Sequence, residues 1–177
     1  MTTRYQLGLF RQAAIALLLI AVLDGTGDLR VLEAAAPAES GLDHLGAAER
    51  AGIIQVDESG ARLAFRHPLI RSAVIALSTS DQRRRAHRAL AESEPVLERR
   101  AWHLAVATVS PDENVASLLE SAARAHLNRG DAVNAIAEMS RAAELSLATA
   151  DRARRWAEAA YVGATFPGRY PQRAATA

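Results

Sequence analysis

The sequence predicts a mainly α-helical chain carrying a single β-hairpin. Three observations lead there. Alanine, the best helix former, supplies 40 of the 177 residues. Two Trp, three Tyr and three Phe are too few for the core of a sandwich or barrel, but suit helices packed at close range. Helix start and stop signals recur along the chain, whereas a strong strand signal occurs only around residues 53 to 65. The length fits one domain or two small ones. An apolar half is enough to bury a core.

The first helix is expected from about Leu9 to Leu23, apolar nearly all round and therefore buried. Its unbroken apolar run, Ala13 to Leu23, has eleven residues. A membrane span needs about 20, so the run is too short to cross a bilayer. A signal-peptide core would fit its length, but Asp24 and Asp28 follow at once and no small-residue cleavage context is near. A buried helix is the favoured reading.

Asp28 has the chemistry of an N-cap for a short helix, Leu29 to Ala36, closed by Pro37. A third helix, about Leu42 to Ala51, stops at Gly52. Ile53–Val56 and Arg62–Phe65 flank Asp57-Glu58-Ser59-Gly60, and the pair reads as a hairpin. A fourth helix runs from about Leu69 to Leu77. Ser78 to Asp81 has the spacing of a capping box and opens the next helix, to about Glu92. After Pro95 come helices Val96–Val109, from Ser110-Pro111-Asp112-Glu113 to about Asn128, from Asp131 to about Leu147, and from about Ala150 to Thr165. Ser110 is read there as N-cap, Pro111 as N1 and Glu113 as N3.

Three helices, a hairpin and a further helix is the order of a winged-helix module. The later helices form antiparallel pairs spaced by about 34 residues, which suits a tetratricopeptide-like array. The expected organisation is thus a winged-helix-like module over 1–92, tetratricopeptide-like repeats over 93–165 and a frayed tail over 166–177.

Composition excludes several chemistries. The chain has no Cys, so disulfides, thiolate catalysis and Cys-based zinc sites are absent. All 21 basic residues are Arg. Without Lys there is neither a complete Walker A P-loop nor a Schiff base. A net charge of +1 gives no global field toward nucleic acid or an anionic membrane. The histidines, His44, His67, His87, His103 and His126, include no pair at metal-ligand spacing on a helix. No catalytic constellation is visible, and the chain is expected not to be an enzyme and to bind no catalytic metal.

Gly25-Thr26-Gly27 lacks the Lys and the preceding strand of a phosphate cradle, and reads as a loop capped by Asp. The third helix offers Asp43, His44, Glu49 and Arg50, with no net positive charge. Asp57 and Glu58 at the wing turn would repel phosphate. Docking onto protein is therefore favoured over DNA. Arg83, Arg84, Arg85 and Arg88 make a dense basic stretch on one helix. It is read as a solvated face, with docking to an acidic partner or to phosphate as the functional readings. Trp102 and Trp156 are read as packing residues.

Several stretches resemble the large ATP-binding LuxR-type transcriptional regulators of actinobacteria, of the STAND class. They are Gly41-Leu42-Asp43, Ala48-Glu49-Arg50-Ala51-Gly52-Ile53-Ile54 and Phe65-Arg66-His67-Pro68-Leu69-Ile70-Arg71-Ser72-Ala73-Val74. Arg84-Arg85-Ala86-His87-Arg88-Ala89-Leu90-Ala91, Arg99-Arg100-Ala101-Trp102-His103-Leu104-Ala105, Pro111-Asp112-Glu113 and Ala142-Ala143-Glu144-Leu145 extend the match, over about residues 9 to 160. Phe65-Arg66-His67-Pro68 is its most specific part.

The resemblance implies the middle of such a regulator, a winged helix and the start of a helical sensor arm. The expectation is a fragment, a truncated gene product or a degenerate remnant. It further implies a cytoplasmic, non-catalytic role in transcription regulation. The implied partners are a nucleotide-binding domain in cis or in trans, and a protein or small-molecule effector on the arm. ATP and ADP belong to a full-length relative, and no cofactor is expected on this chain alone. His67 would sit at the corner that reaches the phosphates of bound ADP, although Pro68 replaces the acidic residue that often follows this His. A small winged-helix DNA-binding factor and a helical protein-interaction scaffold are the competing readings.

Overall fold

The computed structural model describes residues 14–37, 41–57, 59 and 61–165. The expected tail lies outside them, as do the start of the first helix and Glu58 and Gly60 of the wing turn. The chain divides into two compact units, Met1–Pro95 and Val96–Ala177. It is mainly helical, with one two-stranded antiparallel sheet among the described residues.

In the first unit, α1 is described over residues 14–24. Its apolar run forms the centre of the core: Leu17, Leu19 and Ile20 are buried, with Leu32, Leu45, Ile54, Leu63 and Leu90 packed around them. Helix α2 spans Leu29–Ala35, and Asp28 caps it by accepting from the Arg30 N–H. The third helix is less regular than expected. It begins as a 3₁₀ turn over Leu42–Leu45, and only α3, Gly46–Arg50, is α-helical. Leu45 and Ala48 are the buried anchors of this segment.

Strands β1, Ile54–Val56, and β2, Leu63–Phe65, pair antiparallel with Gln55 opposite Ala64. Residue 28 adds a single rung beside β2 through an isolated antiparallel bridge to Arg62. Flanking it, the Leu63 amide donates to Gly27 O at 2.8 Å and the Leu29 amide to Ala61 O at 3.0 Å. This close approach requires glycine at 27. Its φ is +71°, and a Cβ there would lie 2.2 Å from Leu63 O. Asp57 shapes the wing turn from within, accepting from the Ala61 and Arg62 amides and from Ser59 Oγ. Those bonds, the Arg62 amide first, hold its carboxyl below the usual range.

Helix α4 spans Pro68–Leu77 and α5 spans Ser80–Ser93. The capping box opening α5 sits one residue later than expected, with Thr79 as N-cap and Gln82 as its reciprocal partner. Ser78 instead closes α4, its hydroxyl donating to Ile75 O and accepting from Arg83.

The described residues of the second unit form four helices: α6 Leu97–Ala107, α7 Glu113–Asn128, α8 Ala132–Leu145 and α9 Thr149–Thr165. Corresponding helices of the two pairs start about 35 residues apart. Small residues line the contacts, with Ala101, Ala116, Ala122 and Ala142 fully buried. The α7–α8 turn closes on Gly130 at φ +78°, as a C′ glycine does. Asp131 caps α8. At the start of α7 the cap is Asp112, not Ser110: Asp112 Oδ1 accepts from the Asn114 and Val115 amides. Trp102 and Trp156 are half-exposed, 48% and 44%, so they do not fill the core.

The two start signals at α7 separate in a urea titration. Asp112→Ala is expected to cost about 1 kcal/mol, and Ser110→Ala to stay within about 0.5 kcal/mol of wild type. The reverse order would return the cap to Ser110.

Candidate functional site

The candidate site of the first unit is the corner where β2 runs into α4. Pro68 occupies the first turn of α4, and its ring forces His67 into the extended region, at φ −142° and ψ 137°. His67 is therefore the N-cap. Its Nδ1 accepts from the Leu69 N–H at 3.1 Å. An accepting Nδ1 carries no proton, so in the neutral ring Nε2 bears the N–H. The residue is exposed. The ring thus caps the following helix.

Beside this corner a cavity of about 480 Å³ is lined by Gly25, Thr26, Gly27, Phe65, Pro68 and Arg71, among others. Arg71 lies 6.0 Å from the centroid of the Phe65 ring, within cation–π range, and donates to Val22 O at 3.3 Å. The glycine loop has its own anion. Asp24 Oδ2 accepts from the Thr26 amide at 2.9 Å, the Gly27 amide at 3.2 Å and the Thr26 hydroxyl. A carboxylate from the chain therefore fills the place a phosphate would take.

The basic stretch on α5 is divided among tasks. Arg83 turns back to the end of α4, donating to Ser78 O at 2.6 Å and Ile75 O at 3.3 Å. Arg84 and Arg85 both reach Asp81, at 3.7 and 2.7 Å. Arg88 is exposed, with no ion-pair partner among the described residues. His87 is buried, and burial lowers its pKa.

Two charged clusters in the second unit escaped sequence reasoning. The first surrounds Arg155, 2% exposed. Its Nε donates to Glu120 Oε2 at 2.7 Å, one terminal nitrogen to Ser146 Oγ at 2.6 Å and the other to Glu113 Oε1 at 2.6 Å. Arg154 also grips Glu120, with bonds of 2.8 and 2.9 Å, and Arg124 adds a third cation at 2.6 Å. Hydrogen bonds from Arg154, then Arg155, outweigh burial and hold the Glu120 carboxyl at about 2. The available signal was an acid and an Arg pair separated by one repeat, residues 120 and 154–155.

The second cluster joins α6, α7 and α8. His126 Nδ1 lies 3.2 Å from Asp131 Oδ2, and its Nε2 lies 3.4 Å from Glu138 Oε1. Arg129 pairs with Glu98 at 2.6 Å. The described residues contain no group of three or more His, Asp or Glu arranged to hold a metal ion. None of their helices is long and apolar enough to cross a membrane.

Comparison with known proteins brings no match from family models, curated proteins or solved structures.

The Arg155 network makes a double-variant prediction. Each group keeps other partners, Arg154 and Arg124 for Glu120 and Glu113 for Arg155, so Glu120→Ala or Arg155→Met alone is expected to cost about 1.5–3 kcal/mol in urea unfolding, the range for hydrogen bonds to charged groups. Replacing both, as Glu120→Leu with Arg155→Met, is expected to cost less than the two single losses added together. Additive losses would show that the two groups are not coupled.

Proposed function

We propose that the chain is a non-catalytic regulatory module of an ATP-dependent LuxR-type transcriptional regulator. In this reading it couples a nucleotide-binding domain to a helical sensor arm in the cytoplasm. The observation that carries the reading is the β2–α4 corner: an exposed His67 on a rigid Pro68-anchored turn, directly before a helix with no buried residue. The hairpin and the rung at residue 28 support a winged-helix-like arrangement for the first unit. Helix pairs spaced by about 35 residues support a tetratricopeptide-like arm for the second.

The mechanism follows from the ring chemistry. With Nδ1 occupied by the Leu69 amide, Nε2–H is the group left to face a partner. It donates to a phosphate oxygen of ADP held by the nucleotide-binding domain. The neutral ring makes this contact while keeping its cap, since a proton on Nδ1 would cost the bond from the Leu69 amide. Because the contact exists only with nucleotide in place, it biases a two-state hinge. The module itself turns over no substrate.

A protein-interaction scaffold is the second reading, and α4 favours it. Leu69 and Leu77 are 70% and 86% exposed on a helix rich in apolar residues.

Two measurements test the regulator reading. In a full-length relative, substituting Ala for the matching His is expected to weaken ADP retention and raise basal activity, while unchanged nucleotide affinity would refute the mechanism. In this chain, filter binding to random duplex at low salt is expected to give no micromolar complex. A tight complex with a steep salt slope would instead make it a DNA-binding factor, since phosphate contacts release counterions.

A further inference from the structure

Glu138 stands on α8 where three helices of the second unit meet, with its side chain 12% exposed. Its two oxygens differ. Oε1 faces His126 Nε2 at 3.4 Å. Oε2 is buried with no hydrogen-bond partner. An ionised carboxylate is poorly served there, because a buried lone pair without a donor loses its hydration and gains nothing in return.

The charges around it do not help. From α6 comes Glu98, of the same sign. From the turn after α7 come Asp131, also negative, and Arg129, whose two terminal nitrogens go to Glu98 at 2.6 Å and to His126 Nδ1 at 3.4 Å. The helix on the other side of α8 supplies no counter-charge: Arg154 and Arg155 on α9 serve Glu120, and Glu158 pairs with Arg154. On α8 itself, Arg141 pairs with Glu144 at 2.7 Å. His126 is the group in contact that can hold a proton with Glu138.

We infer that the α6–α7–α8 junction is a proton-operated clasp, closed while Glu138 and His126 share a proton across the Oε1–Nε2 contact and loosened when that proton leaves.

In the closed form the proton lies between Oε1 and Nε2. His126 Nδ1, 3.2 Å from Asp131 Oδ2 and 3.4 Å from Arg129 Nη2, ties the pair to the turn. Asp131 is the N-cap of α8, accepting from the Asn134 amide, and its own amide donates to His126 O. One proton therefore joins the end of α7, the cap of α8 and the body of α8. When it leaves, three carboxylates, Glu98, Asp131 and Glu138, face one Arg and one neutral imidazole, and the turn 129–131 is the segment that yields.

The titration has a defined direction. Burial first, then the charges of Glu98 and Asp131, raise the Glu138 carboxyl from 4.5 to about 7. The folded state therefore binds this proton more tightly than the unfolded chain does. Its stabilising contribution is full below about 4.5 and is lost as pH rises through about 7. The clasp is independent of the regulatory role proposed above.

Carbon-13 NMR of the full chain tests it directly. The Glu138 side-chain carboxyl is expected to titrate near 7, with amide exchange at residues 129–135 accelerating above that midpoint. A midpoint in the ordinary carboxylate range, near 4.5, would overturn the clasp. Thermal melts provide the second readout. The wild-type melting temperature is expected to fall between mildly acidic and mildly alkaline buffer, and Glu138→Gln to lose most of that fall. A variant that keeps the wild-type slope also overturns the clasp. Should Glu138→Gln fail to fold, the carboxyl midpoint of the wild type decides alone.

Discussion

The second unit depends on one buried cation. A guanidinium is expensive to remove from water, by several kcal/mol even after the surroundings relax. Arg155 is tolerated because its partners come from separate points of the fold. They are Glu113 at the start of α7, Glu120 in the middle of α7, and Ser146 at the end of α8. A slide of α9 by one helical turn, about 5.4 Å, would break all three bonds and leave the charge bare. The alanines that form most of the surrounding contact have no such discrimination. Ala116, Ala122 and Ala142 are small and alike, so an alanine interface fits in several registers almost equally well. The network therefore serves a unique packing more than net stability, for an apolar substitute of equal volume would bury without any desolvation penalty.

The same logic extends to four other arginines, in a chain whose long cations are all Arg. Helices end with carbonyls that have no intrahelical partner. Arg71 reaches Val22 O at the end of α1, and Arg83 reaches Ile75 O and Ser78 O at the end of α4. Arg141 reaches Ala105 O and Thr108 O at the end of α6, and Arg152 reaches Ser146 O just after α8. A planar fork with five donors can serve a carbonyl and a carboxylate together, as Arg141 does with Glu144. Lys would bring a point charge with no fixed fork. A basic stretch that looks solvated in sequence is, at Arg83, a clamp between two consecutive helices.

What could be read from the sequence was set by neighbours within a turn or two. The stop at Gly52, the hairpin and the buried first helix depend on local backbone or on a long apolar run. The start of α7 did not yield to local reading because Ser110-Pro111 and Asp112 offer competing caps. A distant bond favours the second: the Asp112 amide donates to Leu145 O at 2.9 Å, which fixes that residue against the end of α8. Ser78 was likewise taken by Ile75 O. The His67 corner was legible in its backbone, since Pro68 dictates it, while the ring's use of Nδ1 needed the position of the Leu69 amide. Nothing local marks Glu120 and Arg155 as buried. Their pairing appears only when the helix pairs are stacked.

Glu120 and Glu138 show how little burial alone decides. Both are glutamates in the middle of helices of the same unit, and both side chains are largely shielded from water, 11% and 12% exposed. Desolvation pushes each toward the neutral form. Glu120 meets three guanidinium groups, which overcome that push and hold it ionised at about 2. Glu138 meets two carboxylates, and the nearest Arg is spent on one of them, so the same push carries it to about 7. Stability linked to the first is present above 4.5 and is lost as pH falls through about 2. Stability linked to the second is lost as pH rises through about 7. The two terms therefore work against opposite ends of the pH scale. For these two groups the packed helices are best served in mildly acidic solution, where Glu120 is still ionised and Glu138 still holds its proton.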